Sequence, residues 1–184
     1  MSLNPRIDPV GGGRRPEPVT LRAATPGDLA DLRRWDRDPA VRGGLIDSDW
    51  HWETELPRHP PWREWLIAEA GGRPIGFIQI IDPEHEETKY WGCVAAGHRA
   101  LDIWIGEPDA RGRGYGTQMM ELAVERCFAD PSVHTILIDP LATNTAACRF
   151  YERIGFEYVV ERTFGEDRCF VYRLTRPEDS CGHA

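Results

Sequence analysis

The chain has no Cys-x-x-Cys pair, no apolar run long enough to span a membrane and no excess of basic residues. Each absence removes a class of function. Five cysteines, Cys93, Cys127, Cys148, Cys169 and Cys181, are an odd number without ligand spacing, so a disulfide framework and a zinc site are not expected. Six histidines are scattered in the same way, and no metal is expected. A reducing cytoplasm is the expected compartment. Without a run of about 20 apolar residues the chain is not expected to enter a membrane. A net charge of −8 argues against nucleic acid as the main partner, because phosphate backbones call for a basic surface. The same charge suits a cationic substrate, although acidity also serves solubility alone.

What is present is enough for one domain with its own core: 184 residues, 41% hydrophobic and 28% charged. Residues 1–18 are polar, rich in Gly, Pro and Arg, without a signal-peptide apolar region, and read as a flexible tail. The single domain is expected over residues 19–176, with a frayed tail over 177–184.

The stretch Arg111-Gly112-Arg113-Gly114-Tyr115-Gly116 organises the rest. It follows a strand-like run, Ala100 to Ile105, and leads into a helix-like run from Thr117 to Phe128. Glycines let the backbone approach a ligand, and a helix start presents unpaired N–H groups and the positive end of its dipole. Together these make an anion site suited to phosphate, with the backbone from Arg113 through Thr117 as the cradle. The Arg111 and Arg113 side chains either add contacts to phosphate or are solvated.

Alternation marks strands at Val19–Ala23, Trp65–Ala70 and Ile75–Ile81, the last two joined by a Gly71-Gly72 hairpin. Gly76 inside a strand marks a bulge or a close backbone approach. Thr25-Pro26-Gly27-Asp28 is a helix-start signal, followed by Leu29, Leu32 and Trp35 on one face. Residues 38–62 mix acids (Asp47, Asp49, Glu53, Glu55) with Trp50, His51 and Trp52, and read equally as a substrate-lining loop or a short amphipathic helix. Asp82 to His98 is a long loop carrying Glu84, Glu86, Glu87, Tyr90 and Trp91, and loops of that length are usually functional. On the strand before the glycines, Leu101, Ile103 and Ile105 share one face and Asp102 and Trp104 the other. Thr135–Ile138 reads as a central strand ending at Asp139-Pro140, Asn144 caps a helix carrying Phe150, Tyr151 and Ile154, and two strands close the chain. The order β–α–(α)–β–β–β–α–β–α–β–β implies a mixed α/β sheet of six to seven strands, mostly antiparallel, with one parallel pair linked by a crossover helix.

The loop fits the Gln/Arg-x-x-Gly-x-Gly/Ala pattern of the GNAT acetyltransferase superfamily. Asn144 with Phe150-Tyr151-Glu152-Arg153-Ile154-Gly155-Phe156 resembles that superfamily's Asn…Tyr-Glu-x-x-Gly-Phe motif. Within it the chain is most similar to aminoglycoside 6′-N-acetyltransferases. The resemblance implies a GNAT fold, with helices on both faces of the sheet and the parallel pair splayed at the cofactor. It implies acetyl-CoA held by Ile103, Trp104, Ile105, Arg111, Gly112, Arg113, Gly114, Tyr115, Gly116, Thr117, Asn144 and Tyr151. It also implies a backbone oxyanion donor near Trp104, Tyr151 as general acid, and Asp102 and Asp139 at the amine, either of them or a water taking its proton. Glu87, Tyr90 and Trp91 would join Asp102 and Asp139 in holding a cationic small-molecule amine, in a monomer or homodimer. A hydroxylysine-type siderophore acyltransferase shares the Asp-Pro…Asn-Thr-Ala pattern and is the alternative acceptor reading. A non-catalytic acyl-CoA sensor is the alternative of another class.

Overall fold

A computed structural model describes residues 17–44 and 50–177. Asp47, Asp49, Cys181 and nearly all of the two expected tails lie outside the described residues. Seven strands form one sheet: β1 (Val19–Ala23), β2 (Arg63–Ala70), β3 (Arg73–Ile81), β4 (His98–Ile105), β5 (Thr135–Ile138), β6 (Glu157–Phe164) and β7 (Asp167–Thr175). Their spatial order is β1-β2-β3-β4-β5-β7-β6. Every neighbour pairs antiparallel except β4 and β5. The helices are α1 (Leu29–Asp36), α2 (Pro39–Arg42), α3 (Trp52–Glu55), α4 (Tyr115–Phe128) and α5 (Thr145–Arg153).

Strand alternation sorts the core into two faces. Leu66, Ala68, Ile78, Ile80, Leu101 and Ile138 pack on one side with Met119, Met120, Ala123 and Cys127 of α4 and Cys148 and Tyr151 of α5. Ile67, Phe77 and Trp104 pack on the other with Leu32 and Trp35 of α1, Val41 of α2 and Trp52 of α3. The far end of that second face is closed by Trp91 of the 82–97 loop, packed with Ala100, Phe164, Cys169 and Val171. Asp102 therefore stands between two apolar clusters, on the face shared by Ala100 and Trp104.

The β2–β3 register shifts at Ala68/Glu69, opposite Gly76 and Pro74. A Cβ at Gly76 would lie 2.5 Å from the Trp104 carbonyl oxygen and 2.9 Å from Met119 Cε. The bulge and the close approach are thus one feature, and it seats β4 and α4 against β3.

Segment 38–62 supplies both α2 and α3, so the helical reading holds for these two short pieces, with Trp52 and Leu56 buried against the sheet. The 82–97 connection has no helix or strand, as its composition suggests.

Candidate active site

The parallel pair is what opens the sheet. β4 and β5 are in register only at His98–Thr135, Arg99–Ile136 and Ala100–Leu137. Beyond those residues the strands part, leaving ladder groups of both without each other as partners. A cavity of about 750 Å³ passes through this notch. Its lining includes Asp102, Ile103, Trp104 and Ile105 of β4, Asp139 after β5, Tyr90 and Trp91 of the long loop, and Asn144 and Tyr151 at α5. Trp50, Trp65 and Gln79 wall the end near α3.

Asp102 faces Gln79 across the β3–β4 ladder and accepts a hydrogen bond from its Nε2 at 2.8 Å. The Trp65 indole N–H donates in turn to Gln79 Oε1, which fixes the amide with its NH2 toward the carboxylate. Burial raises the Asp102 proton affinity, and the Gln79 bond opposes that rise. Asp139 accepts a 2.6 Å hydrogen bond from the Tyr90 hydroxyl. Its pKa is pushed up to about 8, first by burial and then by the neighbouring Asp102 charge. Among the described residues, neither carboxyl group forms an ion pair; their side-chain hydrogen-bond donors, Gln79 and Tyr90, are neutral. A buried acid, Asp139, and a half-buried one, Asp102, with only neutral donors leave an unmet demand for positive charge.

Tyr151 approaches from the opposite face of the sheet and lines the same cavity. Burial, then the fields of Asp102 and Asp139, hold its phenol well above its ordinary pKa, so it stays protonated through the neutral range. Asn144 caps α5, its side chain accepting from the Ala147 N–H at 3.1 Å, and it also borders the cavity.

The glycine loop has the shape of an anion cradle. Gly112 and Gly114 have φ of +70° and +84°, and a Cβ at either would meet nothing within 4 Å. Conformation, not room, demands glycine there. The helix begins at Tyr115, two residues earlier than the sequence suggests, and its first intrahelical bond runs from Gln118 N–H to the Gly114 carbonyl at 3.3 Å. The N–H groups of Tyr115, Gly116 and Thr117 are therefore open to a ligand. The Tyr115 ring is buried in the core. Arg113 lies over the Tyr115 ring at 5.6 Å and donates to the Asp109 carbonyl at 3.4 Å. Arg111 is neither free nor merely solvated. Its guanidinium donates to the carbonyls of Ile105 and Gly106 and, at 2.6 Å, to Asp38.

Glu87 is not brought to the cavity: it is exposed and lies 3.4 Å from Arg58. Its neighbour Glu86 is buried and accepts from the N–H groups of Thr88 and Tyr90, shaping the turn that presents Tyr90. Gln79, Trp65 and Glu86 were not singled out as site residues from the sequence. For Gln79 a signal existed, a lone amide inside the apolar run Ile75–Ile81. For Glu86 there was none beyond a choice among three nearby glutamates. Asp82, Glu84 and His85 bring possible ligand atoms within 4.8 Å of one another at an exposed turn, although Asp82 already pairs with Arg99 and His85. No described helix is long and apolar enough to cross a membrane.

An acetyltransferase (GNAT) domain is matched over residues 25–164. Aminoglycoside N(6′)-acetyltransferase type 1 of Klebsiella pneumoniae is 31% identical over 153 residues, covering 76% of this chain and 74% of that protein. Lysine N-acyltransferase MbtK of Mycolicibacterium paratuberculosis is 26% identical over 187 residues, covering 94% of this chain and 77% of that protein. Among solved structures, AAC(6′)-Ib in complex with ribostamycin and coenzyme A superposes with a TM-score of 0.79 at 28% identity, covering 91% of this chain and all of that one.

Proposed function

Because this chain belongs to the GNAT acetyltransferase family, we propose that it transfers the acetyl group of acetyl-CoA to a primary amine of a cationic small molecule, the 6′-amine of an aminoglycoside. The observation that carries the acceptor is the pair Asp102 and Asp139, lining one cavity with no cationic hydrogen-bond partner among the described residues. An ammonium entering between them answers the Asp102 charge and favours ionisation of Asp139.

The donor fits the other half of the site. Acetyl-CoA supplies an activated acyl group as a thioester. The open N–H groups of Tyr115, Gly116 and Thr117, set by positive-φ glycines, suit its pyrophosphate. Arg111 serves as a brace that ties the loop to the end of β4 and to Asp38. Asn144 and the notch between β4 and β5 line the path of the pantetheine arm.

A free alkylammonium has a pKa of about 10.4 and must lose a proton before its nitrogen can attack. Asp102, on the rigid β3–β4 ladder, anchors the ammonium. Asp139, with its proton affinity already in the neutral range, takes the proton directly or through a water. A backbone N–H of β4 near Trp104 stabilises the developing oxyanion. Tyr151 gives its phenolic proton to the departing thiolate and is reprotonated, directly or through water, by the second proton that the acylated nitrogen releases as the amide forms.

The test is acetylation of kanamycin by the purified protein, read as acetyl-CoA-dependent release of free thiol and as the position of the new amide. The likeness to a lysine N-acyltransferase over 94% of the chain supports a second reading, in which a hydroxylysine-type amine receives a longer acyl group. Turnover of long-chain acyl-CoA with such an amine, and none with kanamycin, decides for it. We place the protein in the cytoplasm; Cys93, Cys127, Cys148 and Cys169 are free thiols, in keeping with a reducing compartment.

A further inference from the structure

Tyr90 is the point where three separate parts of the chain meet. Its backbone N–H is held by the buried Glu86 carboxylate at 2.9 Å, within the 82–97 loop. Its ring stacks on Phe164 of β6, with centroids 4.4 Å apart and planes 9° from parallel. Its hydroxyl reaches Asp139, 49 residues away in sequence, at 2.6 Å. The residue is 36% exposed, so hydrophobic burial alone does not account for this placement. A stacked aromatic leaves its hydroxyl little freedom, and an oxygen–oxygen distance of 2.6 Å matches a charge-assisted bond to a carboxylate.

We propose that Tyr90 is a positioning residue for the transfer: its hydroxyl fixes the Asp139 carboxylate in orientation and favours its ionised form, and Glu86 builds the turn that brings it there. This rests on the reading of Asp139 as the group that takes the amine's proton. It gives Tyr90 a role that acts through Asp139 and not through contact with the acceptor.

The groups that face Asp139 fix the sign. Asp102 on β4 repels the second negative charge and raises the Asp139 proton affinity. Tyr90 from the loop and, more weakly, Arg162 from β6 lower it. Tyr151 on α5 and Cys169 on β7 are neutral neighbours whose own ionisation Asp139 opposes. Removing the Tyr90 hydroxyl deletes a principal stabiliser of the ionised form, so the pH at which Asp139 becomes a competent base rises.

The experiment compares wild type, Tyr90→Phe, Glu86→Ala, the double variant and Asp139→Asn. The first measurement is kcat/KM for kanamycin with saturating acetyl-CoA between pH 6 and pH 9.5. Tyr90→Phe keeps the ring on Phe164. Its rising limb is expected to move up by about one pH unit or more, with roughly tenfold lower kcat/KM below the limb and recovery above it. Glu86→Ala is expected to move the limb the same way, and the double variant no further than Tyr90→Phe alone. Asp139→Asn is expected to lose the limb.

An unmoved limb in Tyr90→Phe with a raised KM would make Tyr90 an acceptor contact and overturn its positioning role while leaving Asp139 as the base. A wild-type limb in Asp139→Asn would overturn the base assignment, and the role of Tyr90 with it. The second measurement needs no turnover: the carboxyl-carbon NMR titration of Asp139 in wild type and in Tyr90→Phe. An unchanged titration overturns the proposal, and a titration moved to higher pH supports it even if kanamycin proves not to be the acceptor.

Discussion

Gln79 and Asp102 are direct cross-strand partners, and the Gln79 amide lies 2.8 Å from the Asp102 carboxylate. Among the described residues it is the one hydrogen-bond donor that acts against the burial of Asp102. Gln79→Leu is expected to raise the Asp102 proton affinity and to weaken binding of the cationic acceptor, with KM increasing about tenfold or more. It also strands the Trp65 indole N–H, at a cost of about 1–3 kcal/mol in stability. Steady-state kinetics and denaturant melts read the two effects separately.

Asp139 couples activity to stability with a definite sign. Its folded pKa of about 8 lies above the ordinary 3.8, so between those values the folded chain binds the extra proton. Its contribution to stability is full below pH 4 and is lost as the pH rises toward 8. Asp139→Asn is expected to raise the melting temperature at pH 8–9, by an amount corresponding to about 2 kcal/mol or more, and to change little near pH 4. Thermal melts across that range check it. A uniform loss of stability at every pH would contradict the assignment.

Tyr151→Phe tests the leaving-group acid. The ring is buried among Phe150, Phe156 and Tyr172, and Phe preserves that packing. The expected outcome is a fall in kcat of about 10²-fold or more with little change in coenzyme A affinity. An unaltered kcat would remove Tyr151 from the chemistry. Complete inactivity of the wild type on every amine, with tight acyl-CoA binding, would instead favour a sensor.

Gly76→Ala tests the seating of β4. The added methyl carbon would lie 2.5 Å from a backbone carbonyl, which no rotamer change relieves. Destabilisation of about 1–3 kcal/mol is expected from overpacking, together with a loss of activity as the Trp104 segment shifts. A melt and an assay on the same sample check both.

Arg111→Lys addresses the loop. The guanidinium serves three acceptors at once, the carbonyls of Ile105 and Gly106 and the Asp38 carboxylate. An ammonium cannot reproduce that fork. KM for acetyl-CoA is expected to rise about three- to tenfold, equivalent to losing about 1 kcal/mol of loop order. Equal KM values for the two proteins would exclude the brace.

Much of this was legible in the sequence because local signals carry it. The glycine loop, the Asn144 cap and Gly155, with φ of +98° at the end of α5, each need particular residues at particular backbone angles. The opposite faces of β4 follow from period-two alternation alone. The sequence also places Asp102 inside the strand before the glycine loop and Asp139 at the end of the next strand, and the sheet brings both to one cavity. The start of α4 escaped because the buried Tyr115 ring, not a polar cap, anchors its first turn. Glu86 and Glu87 are indistinguishable as neighbours in a line of acids, and only the turn decides which carboxylate faces inward. The Gln79–Asp102 bond depends on a register spanning 23 residues, and no local pattern reports it.

The three-residue contact between β4 and β5 is the shortest pairing in the sheet. It makes the molecule two stiff plates joined along a brief seam, with α4 as the covalent strap across it. A ligand lodged in the notch touches both plates, so it works as a dowel as well as a reactant. Opening along that seam breaks fewer ladder pairs than opening between any other neighbouring strands described, and a ligand bound across it adds stability to the joined form.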